Sequence, residues 1–509
     1  MKKIVPIFFL FGLFFLLTYK NPFNSRSLIP NLEPYPDSIF YSYPAWSLLN
    51  GSGFKMSLDD INIRNIVPPS YSLYLLPFLA IFRDIRVFYF ANVILSLVSI
   101  LLFYLIIGKL FNSKIIAFSL GLLLVSSYYF YSLSQYLMAE NLTLALFLAL
   151  ILIFLKKISS KNIGIFSLLN ILLLLTKLSN LPIFISLALI YFVKVLKSKN
   201  RKTLIKFILI SVFVYFLGIG EIFLSGILKG REGFTGMVGF SFDYFKNNFR
   251  YYLQAISGKS GRFIWMPEKF ITIDLVVLIF LGLIIGLLKR RRIFVFIVMS
   301  ITFPLIIFMS FFYYPDTRYI YVLYPLFIAS IGLLLETFKR KNILFLFLIL
   351  LTVIDLGFVS IKNDFEARAI TLKKQIGLNF RHAEEPWNYL AVQNFNQYFS
   401  QKSGKKYLAT FLPVFYVDYF KNDNYEYLPI SDKQEFPEYI NIMCPNGIND
   451  CYQKILLSGG EIYLSRYYLS NNIGEWGKIL DEIDEKYVLT KVSEGCHNTC
   501  DIYRLENRE

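Results

Sequence analysis

Residues 271–292 read Ile271-Thr-Ile-Asp-Leu-Val-Val-Leu-Ile-Phe-Leu-Gly-Leu-Ile-Ile-Gly-Leu-Leu-Lys289-Arg-Arg-Arg292. After Asp274 the run is apolar until it meets a block of four cations. A run of about 17–25 apolar residues suffices to cross a hydrocarbon core of roughly 30 Å. A Lys/Arg block beside such a run marks its cytoplasmic end. The same unit recurs along the chain. Residues 87–107 end at Lys109 and Lys114, and residues 141–155 end at Lys156, Lys157 and Lys161. Residues 180–193 meet Lys194, Lys197, Lys199, Arg201 and Lys202, and residues 319–336 meet Lys339-Arg340-Lys341. Outward runs at 115–133, 162–176, 204–225, 293–312 and 342–360 alternate with these. A first run, 4–18, follows Lys2 and Lys3. The pattern predicts an α-helical polytopic membrane protein of about eleven spans with its N-terminus in the cytoplasm.

The rest of the composition agrees. Of 509 residues, 56% are hydrophobic, and the polar ones are segregated rather than mixed. Residues 1–360 read as the membrane domain and 361–509 as one soluble domain, delivered outside by the last span. The net charge of +17 sits in loops between spans. Nucleic-acid binding is therefore not expected, because no basic stripe lies on a soluble fold; membrane lipids and anionic head groups are. Lys2 and Lys3 open a segment without a small-x-small cleavage site near Thr18, so it reads as an uncleaved span. Tyr71 to Phe82 is apolar but short. Counting it as a span would put every basic cluster outside, so it is placed along the outer interface. Abundant Phe, Ile, Lys and Asn fit an AT-rich bacterial genome, and the expected location is the cell (inner) membrane.

All four cysteines, Cys444, Cys451, Cys496 and Cys500, lie in the soluble domain. An even number confined to an exported domain predicts disulfides, Cys444–Cys451 and Cys496–Cys500 by spacing. A zinc site is the rival reading, disfavoured by those spacings. Strand-like stretches (407–416, 461–469, 487–492) and a helical one (474–484) predict a small α/β unit. No internal repeat or low-complexity linker is visible.

Both histidines, His382 and His497, fall in the soluble domain. A Ser-His-Asp triad or a His-rich metal site in the membrane part is excluded. No Walker A loop or Gly-x-Gly-x-x-Gly fingerprint suggests ATP or NAD. What remains is carboxylates, cations and tyrosines at the outer ends of spans. Asp37 stands in the first outer loop, where an amphipathic helix and a Pro68-Pro69 turn build a cap over the membrane. Glu140 stands at the outer mouth of the fourth span, and a carboxylate at membrane level is a functional candidate. Its structural alternative is a favourable place in a helix first turn. Lys177 and Arg318 lie at outer span ends, where the alternative is snorkelling. Asp316 is placed to pair with Arg318, and Glu221 reads as a further buried acid.

These residues carry a resemblance. Asp37 with Tyr41 and Ala45, Pro68 to Tyr71, Glu140, Leu175-Thr176-Lys177 before a Pro-containing span, and Arg318-Tyr319 followed by Pro325 resemble the GT-C membrane glycosyltransferases. That group holds the protein O-mannosyltransferases and the aminoarabinose transferases of lipid A. The resemblance covers residues 1–360. Ile66-Val67 depart from it, since such families often carry His or Lys before the Pro-Pro pair. It implies a polyprenyl-phosphate sugar donor and an inverting transfer to an acceptor hydroxyl outside the membrane. Asp37 would be the general base and Glu140 its catalytic companion. Arg318 and Lys177 would bind the donor phosphate, and Tyr41, Tyr71 and Tyr319 would line the cavity. A divalent metal between Asp37 and Glu140 stays open, as do the sugar and the acceptor. A carrier or flippase of lipid-linked sugars is the alternative, although it would call for midplane charges and a repeat. A membrane-anchored sensor would not need so many spans.

Overall fold

The computed structural model describes residues 5–18, 37–58, 61–63, 67–84, 87–134, 136–224, 241–258, 270–289, 292–312, 315–337, 387–410, 423–431, 437–465, 476–495 and 501–508. Helices α1 (Val5–Thr18), α2 (Asp37–Leu49), α3 (Ser70–Phe82), α4 (Phe88–Phe111) and α5 (Lys114–Ser126) open the chain. Next come α6 (Tyr128–Leu133), α7 (Ala139–Phe154), α8 (Ser160–Leu174), α9 (Leu181–Lys197) and α10 (Arg201–Leu224). The membrane part continues with α11 (Phe242–Ile256), α12 (Ile273–Leu288), α13 (Arg292–Ser310) and α14 (Leu323–Leu335).

Among the described residues, four helical segments are long and apolar enough to cross a membrane: Phe88–Phe111, Leu178–Lys197, Arg201–Leu224 and Arg292–Ser310. The other apolar helices are shorter than the roughly 20 residues a straight crossing needs. The third expected span, 115–133, breaks at Ser127, whose extended backbone separates α5 from α6. The eleventh, 342–360, lies outside the described residues, as does the 361 boundary. The tenth begins as a 3-10 turn, Thr317–Ile320, ahead of α14.

Local chemistry sets the helix ends. Ser113 and Ser159 accept the Ile116 and Asn162 amides and cap α5 and α8. Asn112 ends α4 in the left-handed region at φ 48°. Helices α12 and α14 approach closely because Gly282 faces the backbone of Ser330, where a Cβ would lie 2.1 Å from the carbonyl oxygen. Small residues permit such contacts between apolar helices in lipid. Glu221, expected to be buried, is exposed on α10 beside exposed Phe223 and Leu224. That stretch of helix faces outward from the bundle, which the apolar sequence around it does not reveal.

The bundle has two distinct ends. At one, Lys194 Nζ donates to the carbonyls of Phe154 and Lys156, and Lys206 Nζ to Ser160 Oγ at 3.4 Å. The basic clusters thus converge. At the other, the Ser70 amide donates to the Leu175 carbonyl at 3.0 Å, fastening α3 to the end of α8.

The C-terminal region holds α15 (Trp387–Ser400), α16 (Pro437–Met443), α17 (Ile448–Leu457) and α18 (Trp476–Lys486). Strands β1 (Met56–Leu58) and β2 (Ile61–Ile63) form a hairpin near the cap. The five-stranded sheet is ordered β4-β3-β5-β7-β6, from β3 (Lys406–Ala409), β4 (Glu426–Leu428), β5 (Glu461–Ser465), β6 (Tyr487–Ser493) and β7 (Ile502–Asn507). Strand β3 runs parallel to β4 and β5, whereas β7 is antiparallel to β5 and β6. One side of the sheet packs Leu464 and Leu505 against Tyr452 and Ile483. The other joins Phe395, Phe399 and Tyr463 to Ile39, Tyr41, Tyr71 and Leu75 in one apolar cluster. The C-terminal region therefore sits on the cap made by α2 and α3, opposite the basic end. Cys444 and Cys451 are joined, with Cα atoms 5.2 Å apart. Cys496 and Cys500 lie outside the described residues.

By the positive-inside rule the basic end is expected to face the cytoplasm. A reporter fused after Ser360 should then be active only in its exported form. Activity of a cytoplasm-only reporter there would invert the topology.

Candidate active site

The residues singled out in sequence meet at the capped end. Glu140 lies in the first turn of α7, which the extended Met138 starts, and is 4% exposed. Helix α8 stops at Leu174, and Lys177 is extended before a 3-10 turn, Leu178–Asn180, with Pro182 opening α9. Asn180 Nδ2 fixes that turn by donating to Thr143 Oγ1 and to the Leu173 carbonyl, both at 2.9 Å. Lys177 Nζ is thereby delivered to Glu140 Oε1 at 2.5 Å.

Arg318 arrives on the turn before α14. Its Nε is 2.5 Å from Asp316 Oδ2 and 4.0 Å from Glu140 Oε1. Asp316 also caps its own turn, its Oδ1 accepting the Arg318 amide at 2.9 Å. Tyr319 is the aromatic wall: Lys177 Nζ lies 4.6 Å from its ring centre and the Arg318 guanidinium carbon 5.2 Å. Behind it, the Asp316 amide donates to the Tyr252 hydroxyl at 3.2 Å. Tyr252 belongs to α11, inside a stretch expected to be an outer loop. Its contribution is signalled only by the amphipathic spacing of residues 242–256.

On the cap side, Tyr41 and Tyr71 meet edge to face at 5.4 Å. The Tyr71 hydroxyl donates to Asn92 Oδ1 at 2.5 Å. Tyr74 donates to the Ala91 carbonyl at 2.8 Å, so α3 is held to the start of α4 twice over. The backbone of Asp37 opens α2 one turn before Tyr41; its side chain lies outside what is described.

Two cations and two carboxylates balance in this buried cluster. Such groups are retained only when paired, because each is costly to desolvate alone. Burial works against the Lys177 ammonium, but Glu140, with help from Tyr41, outweighs it and holds its pKa above the ordinary value. Burial raises the Asp316 carboxyl to about 6, Arg318 and its amide opposing the rise. Glu140 and Lys177 act on Asp316 too, and Tyr129 and Tyr252 lie in its field. Since its folded pKa is raised, Asp316 contributes stability below its unfolded value, lost as pH rises through about 6. Protonating it also shifts the cluster from neutral to a net positive charge. Were this cluster to receive a phosphodiester, singly charged at every pH from 5 to 8, it should bind several-fold more tightly at pH 5.5 than at 7.5. Titration calorimetry at the two values would read this, and weaker binding at 5.5 would contradict it.

Among the described residues no group of three or more His, Cys, Asp or Glu side chains forms a metal site. Around Glu140 the donor set suits an anion better than a divalent cation, because Lys177 holds Oε1 and Arg318 stands beside it.

No protein-family profile matches the sequence, and neither does any curated protein. The comparison of folds is different. ArnT from Cupriavidus metallidurans in the apo state superposes with a TM-score of 0.60 at 11% identity, over 99% of this chain and 97% of that one. The chain has the fold of ArnT. The same enzyme bound to undecaprenyl phosphate gives 0.61, with the same identity and coverage. The Archaeoglobus fulgidus oligosaccharyltransferase in its apo form reaches 0.46 at 12% identity, over 96% of this chain and 70% of that one. The likeness to the ArnT fold spans the C-terminal sheet as well as residues 1–360.

Proposed function

We propose that this protein is a membrane glycosyltransferase that moves a sugar from a polyprenyl-phosphate donor to an acceptor hydroxyl at the outer membrane face. The observation that carries the reading is the buried Glu140–Lys177–Arg318–Asp316 cluster at the capped end of a bundle with the ArnT fold. A phosphate leaving group needs cations, and a dry site makes each one count for more than it would in water. Lys177 and Arg318 supply them at the depth where a lipid head group would lie.

In the proposed step Asp37 takes the proton of the acceptor hydroxyl as general base. The acceptor oxygen bonds to the sugar's anomeric carbon from the face opposite the phosphate. The bond from that carbon to the phosphate oxygen breaks, and the configuration inverts. The electron pair leaves with the polyprenyl phosphate, whose charge Lys177 and Arg318 hold. Tyr41, Tyr71 and Tyr319 wall the cavity. Glu140 orients Lys177. A metal between Asp37 and Glu140 has no role in this scheme. The acceptor would approach under the C-terminal domain, which covers the same end.

Purified protein in liposomes, supplied with a panel of hydroxyl acceptors (glycan, lipid and protein), should release undecaprenyl phosphate from at least one member of a panel of undecaprenyl-phosphate-linked sugars. Movement of such lipids between leaflets without cleavage would favour the carrier reading instead.

A further inference from the structure

Glu140 Oε1 lies 2.5 Å from Lys177 Nζ and 4.0 Å from Arg318 Nε. A single carboxylate oxygen thus stands between the two cations that, on the proposed function, receive the donor phosphate. A phosphate oxygen bridging them would have to stand in the same place. All three side chains are buried, with relative exposures of 12%, 5% and 10% for Lys177, Glu140 and Arg318. A second anion beside the first would be opposed strongly, because like charges so close repel in a dry site.

We propose that Glu140 is an internal rival of the donor phosphate, holding Lys177 and Arg318 together and yielding them to the lipid when it binds. Lys177 exchanges one anionic oxygen for another, so the ammonium is never left bare. Arg318 keeps Asp316 as its second partner throughout, at 2.5 Å, and so stays in place during the exchange. Glu140 is attached at the start of α7, whose backbone is anchored by Asn141 Nδ2 to the carbonyls of Leu133 and Tyr136 at 3.2 and 3.0 Å. Only its side chain needs to turn. Once released, the carboxylate faces the Tyr41–Tyr71 side of the site, where its field already reaches Tyr71. The exchange tunes affinity downwards, which lets the spent lipid phosphate leave.

The inference rests on the proposed phosphate site, and the test separates the two. Binding of undecaprenyl phosphate, with undecaprenol as the uncharged control, is measured for the wild type, Glu140→Gln and Glu140→Asp. The Gln variant keeps shape and a hydrogen bond but removes the rival charge. It should bind the phosphate roughly tenfold more tightly or better, since one removed charge at this range is worth at least that factor. Its affinity for undecaprenol should not change, a separation that a merely structural role would not produce. The Asp variant, which withdraws the carboxylate by one methylene, should fall between, and serves alone if Gln at this position does not fold. Equal or weaker phosphate binding by both variants overturns the rivalry while leaving the phosphate site standing. Failure of the wild type to prefer the phosphate over the alcohol removes the phosphate site, and the rivalry with it.

Discussion

Asp37→Asn should abolish most sugar transfer while leaving donor binding intact. Removing a general base commonly costs about 10²–10⁴-fold in rate. Asparagine is nearly isosteric but cannot take the acceptor's proton. The residue opens α2, one turn before Tyr41, which meets Tyr71 edge to face. Undecaprenyl phosphate affinity should stay within about twofold, because the cations that hold it stand on other elements. A variant with unchanged kcat would take the base role away from Asp37. One that lost lipid binding and kcat together would assign it to the donor site instead.

Arg318→Ala should act on the other side of the reaction, through donor affinity. A hydrogen bond to a charged group is worth about 1.5–3 kcal/mol, or roughly 10–100-fold in binding. The substitution has a structural cost as well, since Asp316, fully buried, would lose the guanidinium 2.5 Å away. Orphaning one member of a buried pair is worse than removing both. The double variant Asp316→Asn with Arg318→Ala is therefore the cleaner comparison. It should melt closer to the wild type than the single variant does, and still bind the lipid phosphate weakly. Arg318→Lys should recover part of the affinity, as charge is kept but the planar fork is lost.

Much of this site was legible before any coordinates, for a physical reason. In a chain whose spans are nearly pure hydrocarbon, an ionisable residue at a span end stands out, as Glu140, Lys177 and Arg318 do, and the GT-C resemblance runs through the same residues. The pairing of Asp316 with Arg318 was legible from adjacency. The contact between Lys177 and Glu140 was not, because it joins residues 37 apart through the packing of α7 against α8. Tyr252 was hidden for another reason: the loop that contains α11 mixes aromatic and polar residues throughout, so its helical spacing did not stand out. Ser127 broke a run that hydropathy reads as continuous, since one extended serine hardly changes an average. Glu221 went the other way. Its apolar neighbours suggested burial, whereas they are the outward surface of α10. The Cys444–Cys451 link follows from short spacing, and the sheet from alternating strands, although the order β4-β3-β5-β7-β6 needed the structure.

The central claim is that Lys177 and Arg318 form a lipid-phosphate site at the capped end of the bundle. A cryo-electron microscopy structure of the full chain with undecaprenyl phosphate measures this directly. The account predicts phosphate density within hydrogen-bond reach of Lys177 Nζ and the Arg318 guanidinium, with the Glu140 carboxylate turned away from Lys177. Phosphate density at the basic end, beside Lys156 and Lys194, with the Lys177–Glu140 pair intact, would contradict it.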